Sequence, residues 1–271
     1  MSTPSELGVD AVNPSASLET TATQSAAVAT VAFAAVVVLN VLAWKVRSGL
    51  LTMGLYQVIL ALGVCIVFPT AYYRFVLRKP LSVMGLSLHH WRRDVVVGLA
   101  FVVATVPWRI GVLPRPSLHD LTTLTAAMVF STLFEEVFFR GFIQTTYEAA
   151  FGTIPAIIVS GFFFSLYHVG YGEPYRAAAA IAKLTLVGVM FAVAFRTTRS
   201  VLTSYALNLP HAIVTFVAQG EFFDARVAVL SLAVVVAALI WLFSISRYGP
   251  GAVQPPPYAK TPQPIGGLES G

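Results

Sequence analysis

Two adjacent glutamates and an arginine stand in an otherwise apolar stretch, Phe134-Glu135-Glu136-Val137-Phe138-Phe139-Arg140-Gly141. Each charged group at the centre of a membrane helix costs about 2.5–3.5 kcal/mol, so three cost roughly 7–10 kcal/mol before pairing lowers the sum. Ionisable groups at such positions are functional by default. Glu136 and Arg140 are four residues apart, share a helix face and can pair. Glu135 is turned about 100° from Glu136. Its carboxylate is thus left for chemistry, as a general base that takes a proton from water. For this helix alone the alternative is an inter-helix ion-pair lock without catalysis.

Two further clusters follow. Gly161-Phe162-Phe163-Phe164-Ser165-Leu166-Tyr167-His168 puts Phe164 and His168 on one face, four residues apart. A histidine there can hold a water, donate to an oxyanion or ligate a metal, or simply bond a neighbouring helix. Ser204-Tyr205-Ala206-Leu207-Asn208-Leu209-Pro210-His211 puts Asn208 and His211 three residues apart. They are offset by about 4.5 Å along a helix axis and face one side. Asn208 suits an oxyanion donor; polar contact between helices is the alternative. Pro210 can kink this helix and free backbone carbonyls.

The elements that carry these groups are membrane helices. Of 271 residues, 57% are hydrophobic and 11% charged, with a mean hydropathy of +0.78. A soluble domain has about 25% charged residues, so this chain cannot cover a globular surface. A spanning helix needs about 20 apolar residues. About eight such stretches are expected, near 25–44, 50–73, 95–113, 121–147, 153–170, 176–196, 200–219 and 226–246. The fold class expected is all-α, a polytopic membrane protein of about eight transmembrane helices around a polar intramembrane cavity. Prolines at Pro107, Pro155 and Pro210 are tolerated where neighbours satisfy freed backbone groups.

The net charge of +5 is read as positive-inside sorting rather than as a nucleic-acid signal. The connection at about 74–93 holds Arg74, Arg78, Lys79, Arg92 and Arg93 and is assigned to the cytoplasm. An even number of spans then puts both termini there; Arg196, Arg199 and Arg247 agree, while Lys45 and Arg47 do not. Three segments are expected: a disordered tail at 1–24, a membrane domain at 25–247 and a Pro/Gly-rich disordered tail at 248–271. His89, His90 and Trp91 suit the headgroup layer. The single cysteine, Cys65, excludes a disulfide framework and a Cys-type zinc site.

Together the three clusters resemble the CPBP (Abi) family of intramembrane proteases, which includes the type II CAAX prenyl endopeptidases. The family's first motif, Glu-Glu-x-x-x-Arg, is met by Glu135, Glu136 and Arg140, and its second, Phe-x-x-x-His, by Phe164 and His168. The third, His-x-x-x-Asn, is altered. Ser204 stands four residues before Asn208, and His211 follows Asn208 by three. The likeness covers about residues 80–220. It implies Glu135 as base, Glu136 and Arg140 as its support, and His168 as the group that orients water. Asn208 and His211 then share the oxyanion side in swapped order.

The activity expected is hydrolysis of peptide bonds in membrane-associated proteins or peptides, by an integral protein of the plasma (inner) membrane. The partners are that substrate and the lipid bilayer, with no nucleic acid. No cofactor is expected, because no His-Glu-x-x-His zinc signature occurs. A divalent metal such as zinc stays open as the alternative, since the resemblance covers both metal-assisted and glutamate-type enzymes. The rival functions are a non-catalytic immunity or membrane-chaperone protein on the same fold, and a small proton-coupled transporter.

Overall fold

The computed structural model describes residues 14–46, 49–105, 116–172, 175–219 and 225–247. The C-terminal tail, Arg47 and Pro107 lie outside these residues, as does the expected N-terminal tail up to residue 13; from Pro14 the chain is helical.

Among the described residues, eight helical units follow in order. α1 is Pro14–Val46. α2 is composite, with α-helix over Gly49–Met53 and Phe68–Ala71 and wider π-helix over Gly54–Val67 and Tyr72–Val76. A 3-10 turn, Leu81–Met84, precedes α3, Trp91–Thr105. α4 is α-helical over Leu118–Glu135, π-helical over Glu136–Gln144 and α-helical again over Thr145–Phe151. α5 is Thr153–His168, prolonged by a 3-10 turn at Val169–Tyr171; α6 is Ala178–Thr198, α7 Val201–Gln219 and α8 Ala225–Arg247. The described residues hold no strand.

Seven of these units are long and apolar enough to cross a membrane: Thr21–Val46, Leu51–Val76, Leu118–Phe151, Thr153–Tyr171, Ala178–Thr198, Val201–Ala218 and Ala225–Ser246. The protein is an all-α polytopic membrane protein. The difference from about eight expected spans lies in the third. The described part of α3 has 15 residues, short of the 20 or so a span needs, and the rest of 95–113 falls outside the described residues.

Local signals set the helix carrying the glutamates. Ser117 caps α4 in a reciprocal box: its Oγ accepts from the Asp120 backbone N–H at 3.1 Å, and the Asp120 carboxylate accepts from the Ser117 N–H at 3.3 Å. α4 ends where Gly152 turns at φ +85, a backbone region that favours glycine. The far end is stapled by Glu148, which receives two bonds from Arg199, at 2.7 and 2.9 Å, and pairs with Arg196 at 2.7 Å.

The π-helical stretch of α4 is central: all nine residues from Glu136 to Gln144 are buried. α5 and α6 meet through glycines, since a Cβ on Gly188 would stand 2.7 Å from the Gly161 carbonyl oxygen. Small residues that let backbones approach are the common means of helix packing in lipid. α3 is pinned to the start of α7 by the buried Asp94 carboxylate, which accepts from Ser200 Oγ at 2.6 Å and Thr203 Oγ1 at 2.8 Å. α1 reaches α5 through Asn40, whose amide donates to the Tyr167 carbonyl at 2.9 Å.

Candidate active site

Glu135 closes the α-helical part of α4 and Glu136 opens its π-helical part. π-helical turns bond i to i+5 and concentrate at functional sites. Here Thr145 Oγ1 donates to the Arg140 carbonyl, five residues earlier, within the widened turns. The two carboxylates converge despite their different directions on the helix. Asn208 Nδ2, from α7, donates to Glu135 Oε2 at 3.2 Å and to Glu136 Oε1 at 2.9 Å.

The α4 and α7 helices run antiparallel at this contact: Val201 packs by Gly141, and Asn208, two turns on, reaches the glutamates. Gly141 itself is needed for space, since a Cβ there would meet the Met84 carbonyl oxygen at 3.0 Å.

The expected pair is present. Arg140 Nε stands 3.5 Å from Glu136 Oε2, with both side chains sealed from solvent. Arg140 is fixed from two other directions. Its Nη1 donates to Ser160 Oγ at 2.5 Å, Ser160 Oγ donates to the Phe139 carbonyl at 2.8 Å, and the guanidinium lies 5.4 Å over the Phe164 ring. The last contact is a cation–π interaction, which strengthens when desolvated. Among the described residues, Glu136 Oε2, Arg140 Nε and Arg140 Nη2 complete no hydrogen bond. The pair is therefore held by charge and packing more than by ideal bonding. Glu136 is 0% exposed and Glu135 7%, so an edge of the pair stays reachable only at Glu135.

Phe164 has a second task. Its carbonyl lies 2.8 Å from His168 Nδ1. A carbonyl can only accept, so Nδ1 carries the proton, and in a neutral ring Nε2 is then the acceptor. The four-residue spacing of Phe164 and His168 thus sets both the seat of Arg140 and the tautomer of the histidine. The His168 ring packs among Phe164, Tyr167, Tyr171 and Tyr175 at centroid distances of 4.7 to 6.1 Å.

His211, part-buried on α7, lies edge-on to Phe191 at 6.0 Å, and Phe191 lies edge-on to Phe164 at 6.3 Å. The structure therefore joins Glu135, Glu136, Arg140 and Asn208 directly. His168 and His211 reach the group through aromatic neighbours. Ser204, one turn before Asn208, is fully buried, and its hydroxyl has no hydrogen-bond partner among the described residues.

Four groups around the site were not singled out by sequence reasoning. Ser160 is the partner of Arg140. Tyr56, Tyr167 and Tyr171 bring their hydroxyls together: Tyr56 lies 2.6 Å from Tyr167 and 2.7 Å from Tyr171, and Tyr167 and Tyr171 also bond each other. The spacing of Tyr167 and Tyr171, four residues apart and flanking His168, was a usable signal for two of them. No group of three or more His, Cys, Asp or Glu side chains among the described residues could hold a metal ion. Of the glutamate oxygens, Glu135 Oε2 and Glu136 Oε1 accept from Asn208, and Glu136 Oε2 stands beside Arg140.

No curated protein and no solved structure matches the chain. Residues 117–217 match the family model described as type II CAAX prenyl endopeptidase Rce1-like, and that segment holds Glu135, Glu136, Arg140, His168, Asn208 and His211. Through that segment, which is less than half of the chain, the protein is similar to the Rce1-like type II CAAX prenyl endopeptidases.

Proposed function

We propose that this protein is an intramembrane endopeptidase in which Glu135 activates the water that attacks a peptide bond of a membrane-associated protein or peptide. The observation that carries the reading is the difference within the carboxylate pair. Glu136 is sealed and tied to Arg140, while Glu135 shares the same amide yet keeps an open edge. One carboxylate is structural and its neighbour is placed to react.

In this reading Glu135 takes a proton from water as the water oxygen bonds to the carbonyl carbon. His168 Nε2 accepts the water's other proton in a hydrogen bond and aims its lone pair. The C–N bond then breaks, and Glu135 returns its proton to the leaving nitrogen. Glu136 and Arg140 hold the first carboxylate in place, and Asn208 fixes the spacing of the pair. His211 supports the α7 side of the site. No step of this reading is routed through a metal. The protein acts in the plasma membrane, with the Arg74–Arg93 connection in the cytoplasm, as the basic residues of that connection suggest.

The test is N-terminal profiling of membranes from cells producing the wild type or Glu135→Gln at equal levels. New protein termini should appear in the wild type and be missing in the variant. Identical profiles would sink the protease reading. They would favour a non-catalytic role, the second reading, which draws on Ser204 standing where the third motif has histidine.

A further inference from the structure

Asn208 reaches both glutamates only if α7 stands at the right height beside α4. The start of α7 is held by a buried acid on another helix. Asp94 of α3 is 0% exposed, and its carboxylate accepts from Ser200 Oγ at 2.6 Å and from Thr203 Oγ1 at 2.8 Å. Arg93 adds two bonds to the same carboxylate, at 3.1 and 2.9 Å. Ser200 stands just before α7, and its Oγ also accepts from the Thr203 N–H at 3.4 Å, the bond of a helix cap. The acid, the cap and the first turn of α7 therefore form one unit.

A second contact lies one turn along α3. Gly98, four residues after Asp94, packs on Ala206, since a Cβ on Gly98 would stand 2.5 Å from the Ala206 Cβ. Packed helices can slide past each other by small shear steps. A carboxylate bonded to two hydroxyls three residues apart resists that slide, because charge-assisted bonds are short and directional. The packing gives the distance between α3 and α7, and Asp94 gives the position along the axis.

Beyond Asn208 the helix changes character. Pro210 lies inside α7 and has no N–H, so the bond to the Ala206 carbonyl is missing and a kink is permitted. Asn208 therefore takes its position from the Ser200 side. Five residues separate it from Thr203, about 7.5 Å of helix, short enough to act as a rigid rod.

We propose that Asp94 is a positioning residue, and that its bonds to Ser200 and Thr203 set the register of α7 that brings Asn208 to Glu135 and Glu136. Asp94 acts on the glutamates only through the helix. The lock sets a geometry and does not depend on the role given to Glu135.

The test is a double-mutant cycle on the full chain in lipid nanodiscs, with Asp94→Ala, Asn208→Ala and the pair. The probe is a quenched peptide spanning the strongest Glu135-dependent cut found by N-terminal profiling. Asp94→Ala should lower kcat by about 10–100-fold with KM within about twofold, the scale expected when a reacting group is displaced by about 1 Å. In the Asn208→Ala background the same change should lower kcat less than about threefold, because the amide it seats is already gone. Residues that act independently give losses that multiply, and that result would overturn the lock while leaving the base standing. Where no cut depends on Glu135, the base falls and the cycle is read as melting temperature instead. The drop caused by Asn208→Ala should then shrink in the presence of Asp94→Ala, and equal drops overturn the lock. Should Asp94→Ala not fold, Thr203→Val keeps the shape of the side chain, removes one of the two bonds and takes its place in the cycle with the same outcomes.

Discussion

The side-chain amide of Asn208 donates to Glu135 at 3.2 Å across 73 residues of sequence. The same nitrogen holds Glu136 at 2.9 Å, so one neutral group joins α7 to both carboxylates of α4. Two carboxylates that share a site repel each other. A donor common to both lets them stay close without a second cation.

Removing that donor is expected to cost activity and stability together. Hydrogen bonds to charged groups are worth about 1.5–3 kcal/mol each. Asn208→Ala should therefore lower turnover of a Glu135-dependent peptide by at least about tenfold and lower the melting temperature. Asn208→Asp should be worse, with little folded protein recovered, because it adds a third carboxylate. Kinetics and thermal melts in nanodiscs measure both effects. An Asn208→Asp enzyme with normal yield and rate would contradict the clamp.

Much of this site is legible in the sequence and some of it is not. Charge inside an apolar run is conspicuous, so Glu135, Glu136 and Arg140 declare themselves, and four-residue spacing gives the Glu136–Arg140 pair. Glu135 was expected to be turned away and free. The angle on the helix is a local quantity, whereas the shared amide comes from a residue 73 positions later. The tyrosines are harder still. Tyr56 lies in an apolar helix, where tyrosine reads as an ordinary membrane aromatic, and only the packing of α2 against α4 and α5 brings its hydroxyl to Tyr167 and Tyr171. Span counting worked where apolar runs are long and was least secure at α3.

The Glu136–Arg140 pair should show strong coupling. Breaking a buried ion pair leaves a lone buried charge, at about 3–5 kcal/mol. Glu136→Gln strands Arg140, which Ser160 and Phe164 still hold in place. The double variant Glu136→Gln/Arg140→Met should thus be more stable than Glu136→Gln alone, as read by unfolding in a denaturing detergent series. A double variant less stable than either single one speaks against the pairing.

Asp94 predicts an acid limb in the stability curve. Burial raises its carboxyl pKa, but bonds from Ser200, Thr203 and Arg93 outweigh that and leave it below the ordinary carboxylate value. A lowered folded pKa means that the group stabilises the fold above the unfolded value, about pH 3.9. The contribution is lost as pH falls from there through the folded pKa. Melts from pH 7 down to pH 3 should show wild type and Asp94→Asn converging at the acid end. A constant gap across that range would remove Asp94 from the account.

Chelation gives a separate check on the chemistry. Two oxygens of the glutamate pair accept from Asn208, a third stands beside Arg140, and the proposed reaction routes no step through a metal. Dialysis against a strong chelator should leave the rate on the Glu135-dependent peptide unchanged. A lost rate that returns on adding zinc would place a metal in the reaction.

The nine buried residues from Glu136 to Gln144 have a consequence for the bilayer itself. Helices with a lipid-facing side answer to hydrocarbon thickness by tilting or by stretching the lipid around them. The π-helical stretch of α4 has no such side, so acyl-chain length reaches it only after the surrounding helices have absorbed the mismatch. The carboxylate pair is insulated from the lipid composition that the rest of the molecule feels, and a membrane can thicken or thin around this protein while the spacing of its carboxylates holds.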